Sequence, residues 1–279
     1  MDNIITTEHI NTYCLSLLAD ERAAGTISKY RRDLTAFAQW LDGRAVTKES
    51  ATAWKACLLN RDYAPRTINS MLAAVNGFCR FAGLPIKLKF LSIQRQIFRD
   101  SSRELTKEEY DRLLTAARES GQERLALIME TLCATGIRVS ELRYITVEAA
   151  KAGRATITLK GKIRTILLPA KLCRKLVKYA RKQKTAAGEI FLTSSGRGIS
   201  RRQVWFELKR LCSAAGVEPT KVFPHNLRHL FATTFYRACR DIVRLADMLG
   251  HSSIDTTRIY LMVSGAEQQR QLDRLGLVS

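Results

Sequence analysis

The spacing of apolar residues near the start of the chain constrains its fold most strongly. In "TISKYRRDLTAFAQWL" the apolar side chains recur at three- and four-residue steps, at Ile27, Tyr30, Leu34, Phe37 and Leu41. This is the period of an amphipathic helix, with Thr26 as its predicted N-cap. A second such segment begins at Pro65 and ends before Gly83, where helices favour proline and glycine respectively. The first 84 residues are therefore predicted to form several short helices.

A break in the helical period divides the chain. Residues 85–103, "PIKLKFLSIQRQIFRDSSR", are aperiodic and basic, and they end just before "TKEEY", which reads as a capping box from Thr106 to Glu109. We predict an N-terminal helical domain over 1–84, a linker over 85–103, a second domain over 104–263 and a tail helix over 264–279. The 279 residues are enough for two domains that each bury a core.

The second domain combines helices with a small sheet. Helices are predicted near 106–119 and 122–135, and helices return after residue 170. Between them, "ITVEAAKAGRATITLKGKIRTILLP" has β-branched and aliphatic runs on either side of Gly161, which predicts two or three short antiparallel strands. The run at 189–193 is a candidate for a further brief strand. The predicted class is mainly α with a small antiparallel β-sheet.

The charge balance points to a polyanionic partner. The chain has 46 Lys and Arg against 26 Asp and Glu, a net charge of +20. A field of this sign concentrates phosphate backbones, although a hydrated basic surface is the alternative. Residues 1–100 hold 14 basic and 9 acidic side chains and the remainder 32 and 17, so both halves are expected to contact the same polyanion. The candidate phosphate contacts are Lys29, Arg31, Arg32, Arg66, Arg80, Lys162, Arg201 and Arg202.

Composition also argues against several classes of protein. No apolar run approaches the roughly 18 residues that a membrane helix needs, and the first residues do not resemble a signal peptide. The seven cysteines are scattered without a C-x-x-C pair, which is typical of buried thiols in a reducing compartment. We therefore expect a cytoplasmic protein without a metal site, a disulfide framework or a membrane anchor.

Two motifs of the second domain place reactive side chains on one helical face. In "TGIRVSEL", Arg138 and Glu141 are three residues apart, which is also the spacing of an ordinary surface ion pair. In "HNLRH", His225 and Arg228 follow Pro224 at a predicted helix N-terminus, a position that favours anions. Histidine pairs are more often metal ligands or core residues, but no cysteine or acidic residue lies at ligand spacing nearby.

A third motif, "GHSSIDTTRIY", closes the set. It places His251 in a turn after Gly250, and Tyr260 about two turns into a helix capped near Ser253. A single tyrosine at such a place usually packs half-buried. Together, however, the three motifs supply arginines to hold the oxygens of a phosphodiester and a phenol to attack its phosphorus. The combination indicates covalent cleavage of a nucleic-acid strand without a P-loop, metal or other cofactor.

These motifs, "ATGIRVSEL", "HNLRHLFAT" and "LGHSSIDTTRIY", resemble those of the tyrosine recombinase (phage integrase) family, close in pattern to its Xer-type and small integrase members. The resemblance is strong over 104–265, and "TISKYRRDLTAFAQWL" is similar more loosely to the helical, SAM-like core-binding domain. It implies a C-terminal tyrosine recombinase catalytic domain in which Arg138 and Arg228 clamp the phosphate and Tyr260 is the nucleophile. His225 would assist as acid or base, His251 would hydrogen-bond the phosphate, and Glu141 would support the site.

The resemblance also implies a lysine, in a β-hairpin turn, that protonates the leaving 5′-hydroxyl. Lys160 in "LKGKIRTILLP" fits that position best. The turn is one residue shorter than the common form of the family, so Lys162 stays an alternative.

The resemblance further implies the partners and the reaction. Family members bind double-stranded DNA at specific sites as tetramers and exchange strands through 3′-phosphotyrosyl intermediates and a Holliday junction. We expect the tail helix over 264–279 to dock on a neighbouring protomer, with packing in cis as the alternative, and accessory DNA-bending proteins are possible partners. The small-integrase look favours integration and excision of a mobile element. The alternatives are Xer-type dimer resolution, relaxation by a type IB topoisomerase and a catalytically silent DNA-binding regulator.

Overall fold

The computed structural model describes residues 3–94, 101–159, 162–260 and 262, together with 269–270 and 273–275 of the tail. The chain divides into two compact units, residues 1–95 and 96–279. The first unit contains α1 (Thr7–Ala19), α2 (Ala24–Leu41), α3 (Lys48–Asn60) and α4 (Pro65–Phe81). Its core includes the buried Leu34, Phe37, Trp54 and Leu72. The predicted period of α2 and the Pro65 start of α4 are confirmed.

The predicted Thr26 cap of α2 is wrong. The helix begins two residues earlier, at Ala24, and its N-cap Ala23 makes no side-chain hydrogen bond. Thr26 lies inside the first turn, where its N–H donates to Ala23 O at 2.8 Å. A threonine can occupy the first turn as well as the cap, so its presence fixed the start of the helix only to within two residues.

The chain after α4 folds back onto the first unit. The Asn76 side-chain amide donates to Leu88 O at 2.9 Å and accepts from Leu88 N at 2.8 Å. Asn69 makes the same pair of bonds with Leu91, at 2.9 and 2.7 Å. Because Leu88 is also buried in the core, the first unit extends past residue 84, the end of the predicted domain.

The second unit is helical around one hairpin. Its elements are α5 (Lys107–Glu119), α6 (Glu123–Thr135), α7 (Val147–Ala152), β1 (Arg154–Leu159), β2 (Lys162–Leu167), α8 (Ala170–Lys182), α9 (Arg201–Ala215), α10 (Pro224–Cys239), α11 (Ile242–Leu249) and α12 (Ile254–Arg258). Short 3₁₀ helices lie at Ser101–Arg103, Val139–Tyr144 and Pro219–Lys221. The capping box from Thr106 to Glu109 starts α5, as predicted.

The sheet of the second unit is a two-stranded antiparallel hairpin. Its register pairs Arg154 with Leu167 and Ile157 with Arg164. The segment 189–193 is not a strand, and it makes only isolated bridges, Thr146 with Glu189 and Leu192 with Gly198. The described part of the chain is thus mainly α with one small antiparallel sheet, which confirms the predicted class.

Two apolar clusters stabilise the second unit. The larger is built around buried residues such as Ile128, Leu132, Leu176, Leu208 and Leu227. The smaller joins α10, α11 and the end of the described chain through Phe231, Ala232, Leu245, Leu249 and Tyr260. This smaller cluster carries one side of the candidate site.

Two further observations concern the surface and the thiols. No helix within the described residues is both long and apolar enough to cross a membrane. All seven cysteines are free, and burial raises the pKa of the Cys79 thiol to about 11. Cys239 is exposed, so the expectation that the cysteines are all buried is wrong at that position.

Candidate active site

Two glycine turns bring the motif residues together. Gly136 ends α6 with φ at +65°, and Gly250 ends α11 with φ at +65°. A Cβ atom on Gly136 would lie 2.3 Å from the Phe231 ring, and one on Gly250 would lie 2.3 Å from an Arg164 guanidinium nitrogen. Both the left-handed backbone and the close approach of a neighbour therefore require glycine at these positions.

Arg228 lies at the centre of the site, in the first turns of α10, and its side chain is buried. Its Nη1 donates to Gly136 O at 2.5 Å and its Nη2 to Leu249 O at 2.8 Å. One guanidinium thereby joins the turn after α6 to the end of α11. Burial and the charge of Arg138 lower the pKa of Arg228 to about 10, while the Tyr260 hydroxyl counteracts this shift.

His251 is held as the neutral imidazole. Its Nε2 lies 3.0 Å from Nη2 of Arg228, and its Nδ1 lies 2.8 Å from Oγ1 of the buried Thr257. A guanidinium can only donate, so Nε2 accepts and the ring proton is on Nδ1, donated to Thr257. Burial, followed by the charges of Arg228, Arg138 and Arg164, lowers the pKa of His251 to about 4.

The carboxylate of Glu141 is buried among donors. Its oxygens accept from the Arg138 backbone N–H at 2.7 Å, from Arg138 Nη1 at 3.1 Å and from Arg164 Nη2 at 2.7 Å. The Arg138 side chain stays 43% exposed, so its guanidinium is held by Glu141 but remains accessible to a ligand. The predicted ion pair thus exists within the site and not on the open surface.

Tyr260 lies beside these groups in the same chain. It is buried, with the His229 ring 5.0 Å away in an edge contact and the His251 ring 6.2 Å away and nearly parallel. The predicted helix position is wrong, because α12 ends at Arg258. The Tyr260 N–H bonds Thr257 O, three residues back, as the chain tightens and the ring enters the cluster with Phe231.

His225 lies at the start of α10 with its side chain exposed at the edge of the site. Desolvation, Arg228, Arg138 and Arg201 together hold the pKa of His225 below its usual value. Arg201, at the start of α9, is therefore near enough to act on this histidine. Arg202 is exposed beside it.

The other predicted residues do not all reach this site. Lys160 lies outside the described residues, and so does the side chain of Lys162, whose backbone begins β2. In the first unit Lys29 and Arg32 both pair with the buried Asp33, at 2.7 and 3.0 Å. Arg31 hydrogen-bonds Asn11, and Arg66 and Arg80 are exposed on α4.

Sequence reasoning missed two residues that the site contains. Arg164 reaches Glu141 from β2, and Thr257 holds the His251 ring. Thr257 stands inside the third motif, six residues after His251, and this position was the available signal. Arg164 has no local signal, because its partner is 23 residues away.

Taken together, the described side chains provide a cationic site. Arg138 and Arg164 pair with the one buried carboxylate, Glu141, while Arg228 contacts the neutral His251. A phosphodiester placed against Arg138 and Arg228 would meet preorganised donors, with a phenol and a second histidine at the edge.

Two family models match the chain. Residues 103–267 match the phage integrase family, and residues 10–83 match the phage integrase N-terminal SAM-like domain.

Curated relatives are similar along most of the chain. The tyrosine recombinase XerA of Pyrococcus furiosus is 28% identical over 285 residues, which is 99% of this chain and 97% of the relative. The tyrosine recombinase XerC of Roseiflexus castenholzii is 32% identical, over 87% of this chain and 85% of the relative.

Solved structures share the fold at low identity. A XerH site-specific recombinase bound to its difH substrate has a TM-score of 0.70 and 17% identity, covering 95% of this chain and 84% of that one. A lambda integrase tetramer bound to a Holliday junction has a TM-score of 0.73 and 20% identity, covering 93% and 78%. From the family models and the relative that is 32% identical, the chain belongs to the phage integrase family and is a tyrosine recombinase.

Proposed function

We propose that this recombinase cleaves and rejoins strands of double-stranded DNA at specific sites, with Tyr260 as the nucleophile. The observation that carries the proposal is the placement of the Tyr260 ring against Arg228 and the His229 and His251 rings of the same chain. In this arrangement the attacking oxygen and the groups that bind the phosphate belong to one protomer.

The proposed step exchanges one phosphoester bond for another. The Tyr260 oxygen forms a bond to phosphorus and gives up its proton, which His225 accepts as general base. The bond from phosphorus to the 5′-oxygen breaks, and a hairpin lysine gives that oxygen its proton. The product is a 3′-phosphotyrosyl link that conserves the ester for rejoining, with no metal or nucleotide consumed.

The arginines are proposed to stabilise the negative charge on the phosphate. Arg138 and Arg228 are proposed to hold the two non-bridging oxygens, whose charge grows in the transition state. His251 is proposed to donate to the same phosphate from Nε2 after a change of tautomer in which Nδ1 accepts from the Thr257 hydroxyl, and Glu141 is proposed to orient Arg138 through their 3.1 Å contact. Lys160 is the proposed general acid, and Lys162 is the alternative.

Covalent capture tests the nucleophile. Nicked duplexes carrying candidate sites from DNA that flanks the gene would be incubated with wild type, Tyr260→Phe and Tyr236→Phe. Tyr236 is a matched control, since it packs against the same small cluster. We expect a protein–DNA adduct on denaturing gels for wild type and Tyr236→Phe only. An adduct formed by Tyr260→Phe would refute the assignment, and binding without an adduct on any site would favour the silent regulator.

The assembly is proposed to be a tetramer on two duplexes, joined by exchange of the tail. Support comes from the lambda integrase neighbour, which is a tetramer on a Holliday junction. Most of the tail helix lies outside the described residues; among those described, Arg274 N donates to Arg270 O and the Gln269 side-chain amide donates to Asp273 at 3.0 Å. Lys29, Arg31, Arg32, Arg66, Arg80, Lys162, Arg201 and Arg202 are the proposed DNA contacts.

The biological role we propose is integration and excision of a mobile element. The second candidate is Xer-type dimer resolution, which is supported by relatives named XerA and XerC that match this chain along most of their length. Purified enzyme and paired sites would separate them. Recombination between the two unlike ends of an element supports the first role. Recombination between identical copies of one site in a replicon, with dimers accumulating in a Tyr260→Phe strain, supports the second.

Holliday junctions also separate a recombinase from a topoisomerase. Both enzymes form a tyrosyl adduct, but only strand exchange between two sites produces four-way junctions. We expect junctions when two sites are supplied. Relaxation of supercoils without any junction would instead support the topoisomerase reading.

A further inference from the structure

Arg164 has no part in the step proposed above, yet it contacts two regions of the site. Its Nη2 donates to Glu141 Oε2 at 2.7 Å, and its Nη1 donates to Met248 O at 3.1 Å. The side chain is 15% exposed, and burial lowers its pKa. A guanidinium spanning two acceptors in fixed fork geometry holds them at a fixed separation.

The side chain comes from the hairpin. Arg164 pairs in register with Ile157, and Ile157 is buried, so both face the body of the second unit. The neighbouring residues on the other face of β2, Ile163 and Thr165, are exposed. Near its turn, among the described residues, the hairpin contacts the rest of the unit through the buried Ile157, through Arg164 and through the Tyr144 hydroxyl, which donates to Thr158 O.

The other end of the contact is shaped to receive the guanidinium. A Cβ on Gly250 would lie 2.3 Å from Arg164 Nη1, 2.7 Å from Cδ and 2.8 Å from Cζ. The guanidinium thus lies against bare backbone, one residue before His251. The carbonyls of Met248 and Leu249, at the C-terminus of α11, accept from Arg164 and Arg228 respectively, where a helix favours positive charge.

We propose that Arg164 is a positioning residue that locks the β1–β2 hairpin onto the Arg138–Glu141 pair and the Gly250–His251 turn. The hairpin carries Lys160 and Lys162, so the lock sets where the general acid meets the leaving oxygen. This inference rests on the proposed function, in which a hairpin lysine protonates that oxygen. Loss of Arg164 should therefore slow departure of the 5′-oxygen more than it weakens DNA binding.

A sulfur substitution in the substrate tests this directly. In a duplex with sulfur in place of the bridging 5′-oxygen, the leaving group is a thiolate, which departs without a proton because a thiol has a pKa of about 8.5. The substitution Arg164→Lys keeps the positive charge but removes the planar guanidinium that donates to two acceptors at once. Arg112→Lys is the matched control, because Arg112 also donates to carbonyls at a helix end, those of Ala215 and Gly216 after α9.

We expect Arg164→Lys to slow single-turnover cleavage of the oxygen substrate by about 100-fold, the scale of a roughly 1 Å misplacement. The sulfur substrate should restore its rate to within about threefold of wild type, and Arg112→Lys should match wild type on both substrates. A wild-type rate for Arg164→Lys on the oxygen substrate would overturn the proposal. An equal loss on both substrates would also overturn it, because the defect would then lie in binding the phosphate.

A second measurement does not depend on cleavage. Hydrogen exchange of the DNA-free protein should be faster in Arg164→Lys than in wild type at residues 154–159, 162–167 and 248–251, and unchanged at 201–216. Unchanged exchange in the hairpin would overturn the lock. If wild type gave no adduct on any DNA, the proposed function would fail, while this exchange pattern would still decide what Arg164 does.

Discussion

His251 keeps its proton state because of its neighbours. In the folded chain its pKa is about 4, against 6.5 ordinarily, since it is partly buried among three arginines. Below about pH 6.5 the unfolded chain takes up a proton that the folded chain refuses until about pH 4. Stability is therefore full above pH 6.5 and decreases as the pH falls through this window.

The first prediction follows from that sign. Lowering the pH from 7 to 5 should reduce the free energy of unfolding by about 2 kcal/mol or less through His251, after allowance for its partial exposure. His251→Asn should reduce this dependence in urea unfolding and leave the part that comes from His225, whose pKa is also lowered. Working above pH 5 avoids the carboxylates whose pKa is lowered, such as Glu109 and Glu148. A ring that titrates near pH 6.5 by NMR would contradict the neutral state.

The sequence predicts the role of some site residues but not of others. Five site residues stand in sequence motifs whose combined chemistry can be predicted from the sequence: Arg138, His225, Arg228, His251 and Tyr260. The role of Arg164 could not be predicted from the sequence, because it depends on two hydrogen-bond partners, Glu141 and Met248, which are 23 and 84 residues away. An arginine on a strand is otherwise an ordinary surface residue, and only the tertiary fold makes it part of the site.

At the scale of elements, the turn after α11 sets the position of His251. Gly250, like Gly136, differs from the other described left-handed glycines because a side chain lies against it. Gly153, which ends α7 with φ at +69°, has nothing within 4 Å of a built Cβ. Comparing alanine substitutions at Gly153 and Gly250 distinguishes the free-energy cost of a left-handed backbone from the cost of displacing Arg164.

The second prediction uses this pair. Gly153→Ala should destabilise the protein by about 1 kcal/mol, the cost of placing alanine in the left-handed region. Gly250→Ala should cost more, about 2–3 kcal/mol, and should reduce cleavage because the guanidinium has to move. Urea unfolding and single-turnover cleavage measure the two effects. Equal losses of stability for both variants would show that Arg164 can move away from position 250 without a cost in free energy.

The starts of α4 and α5 were easier to predict than the end of α12. Pro65 and the Thr106–Glu109 box mark their helices because the signal lies within four residues. The end of α12 has no such signal. "IDTTRIY" could continue as a helix, and it stops because the Tyr260 ring enters a cluster supplied by α10 and α11. Tertiary packing overrode the local preference there.

At the scale of the whole molecule, the net charge of +20 governs association with DNA. The third prediction is that duplex affinity decreases by about 10³- to 10⁵-fold between 50 and 200 mM salt, the range for about six to ten phosphate contacts, as counterions are released. Arg66→Gln and Arg80→Gln should each reduce the slope of log affinity against log salt by about one. Arg118→Gln is the control, since Arg118 is already paired with Glu130 at 2.6 Å. An affinity that does not change with salt would contradict the phosphate contacts.

The fourth prediction concerns the domain boundary. We propose that residues 1–95 fold as a unit and that 1–84 are markedly less stable, because the shorter fragment lacks the bonds of Asn69 and Asn76 and the burial of Leu88. Four lost hydrogen bonds and one buried leucine amount to about 3–5 kcal/mol. Thermal unfolding of the two fragments measures the difference. Equal thermal stability of the two fragments would support a domain boundary at residue 84.

Among the described residues, the site holds three arginines and one buried carboxylate: Arg138 and Arg164 pair with Glu141, while Arg228 contacts His251. Burial, reinforced by the neighbouring guanidiniums, lowers the pKa of Arg164 and lowers that of Arg228 to about 10, so the folded site favours an added negative charge. Three guanidiniums carry more positive charge than the Glu141 carboxylate neutralises. Binding of an oxyanion such as the scissile phosphate should therefore stabilise the folded protein and raise its melting temperature.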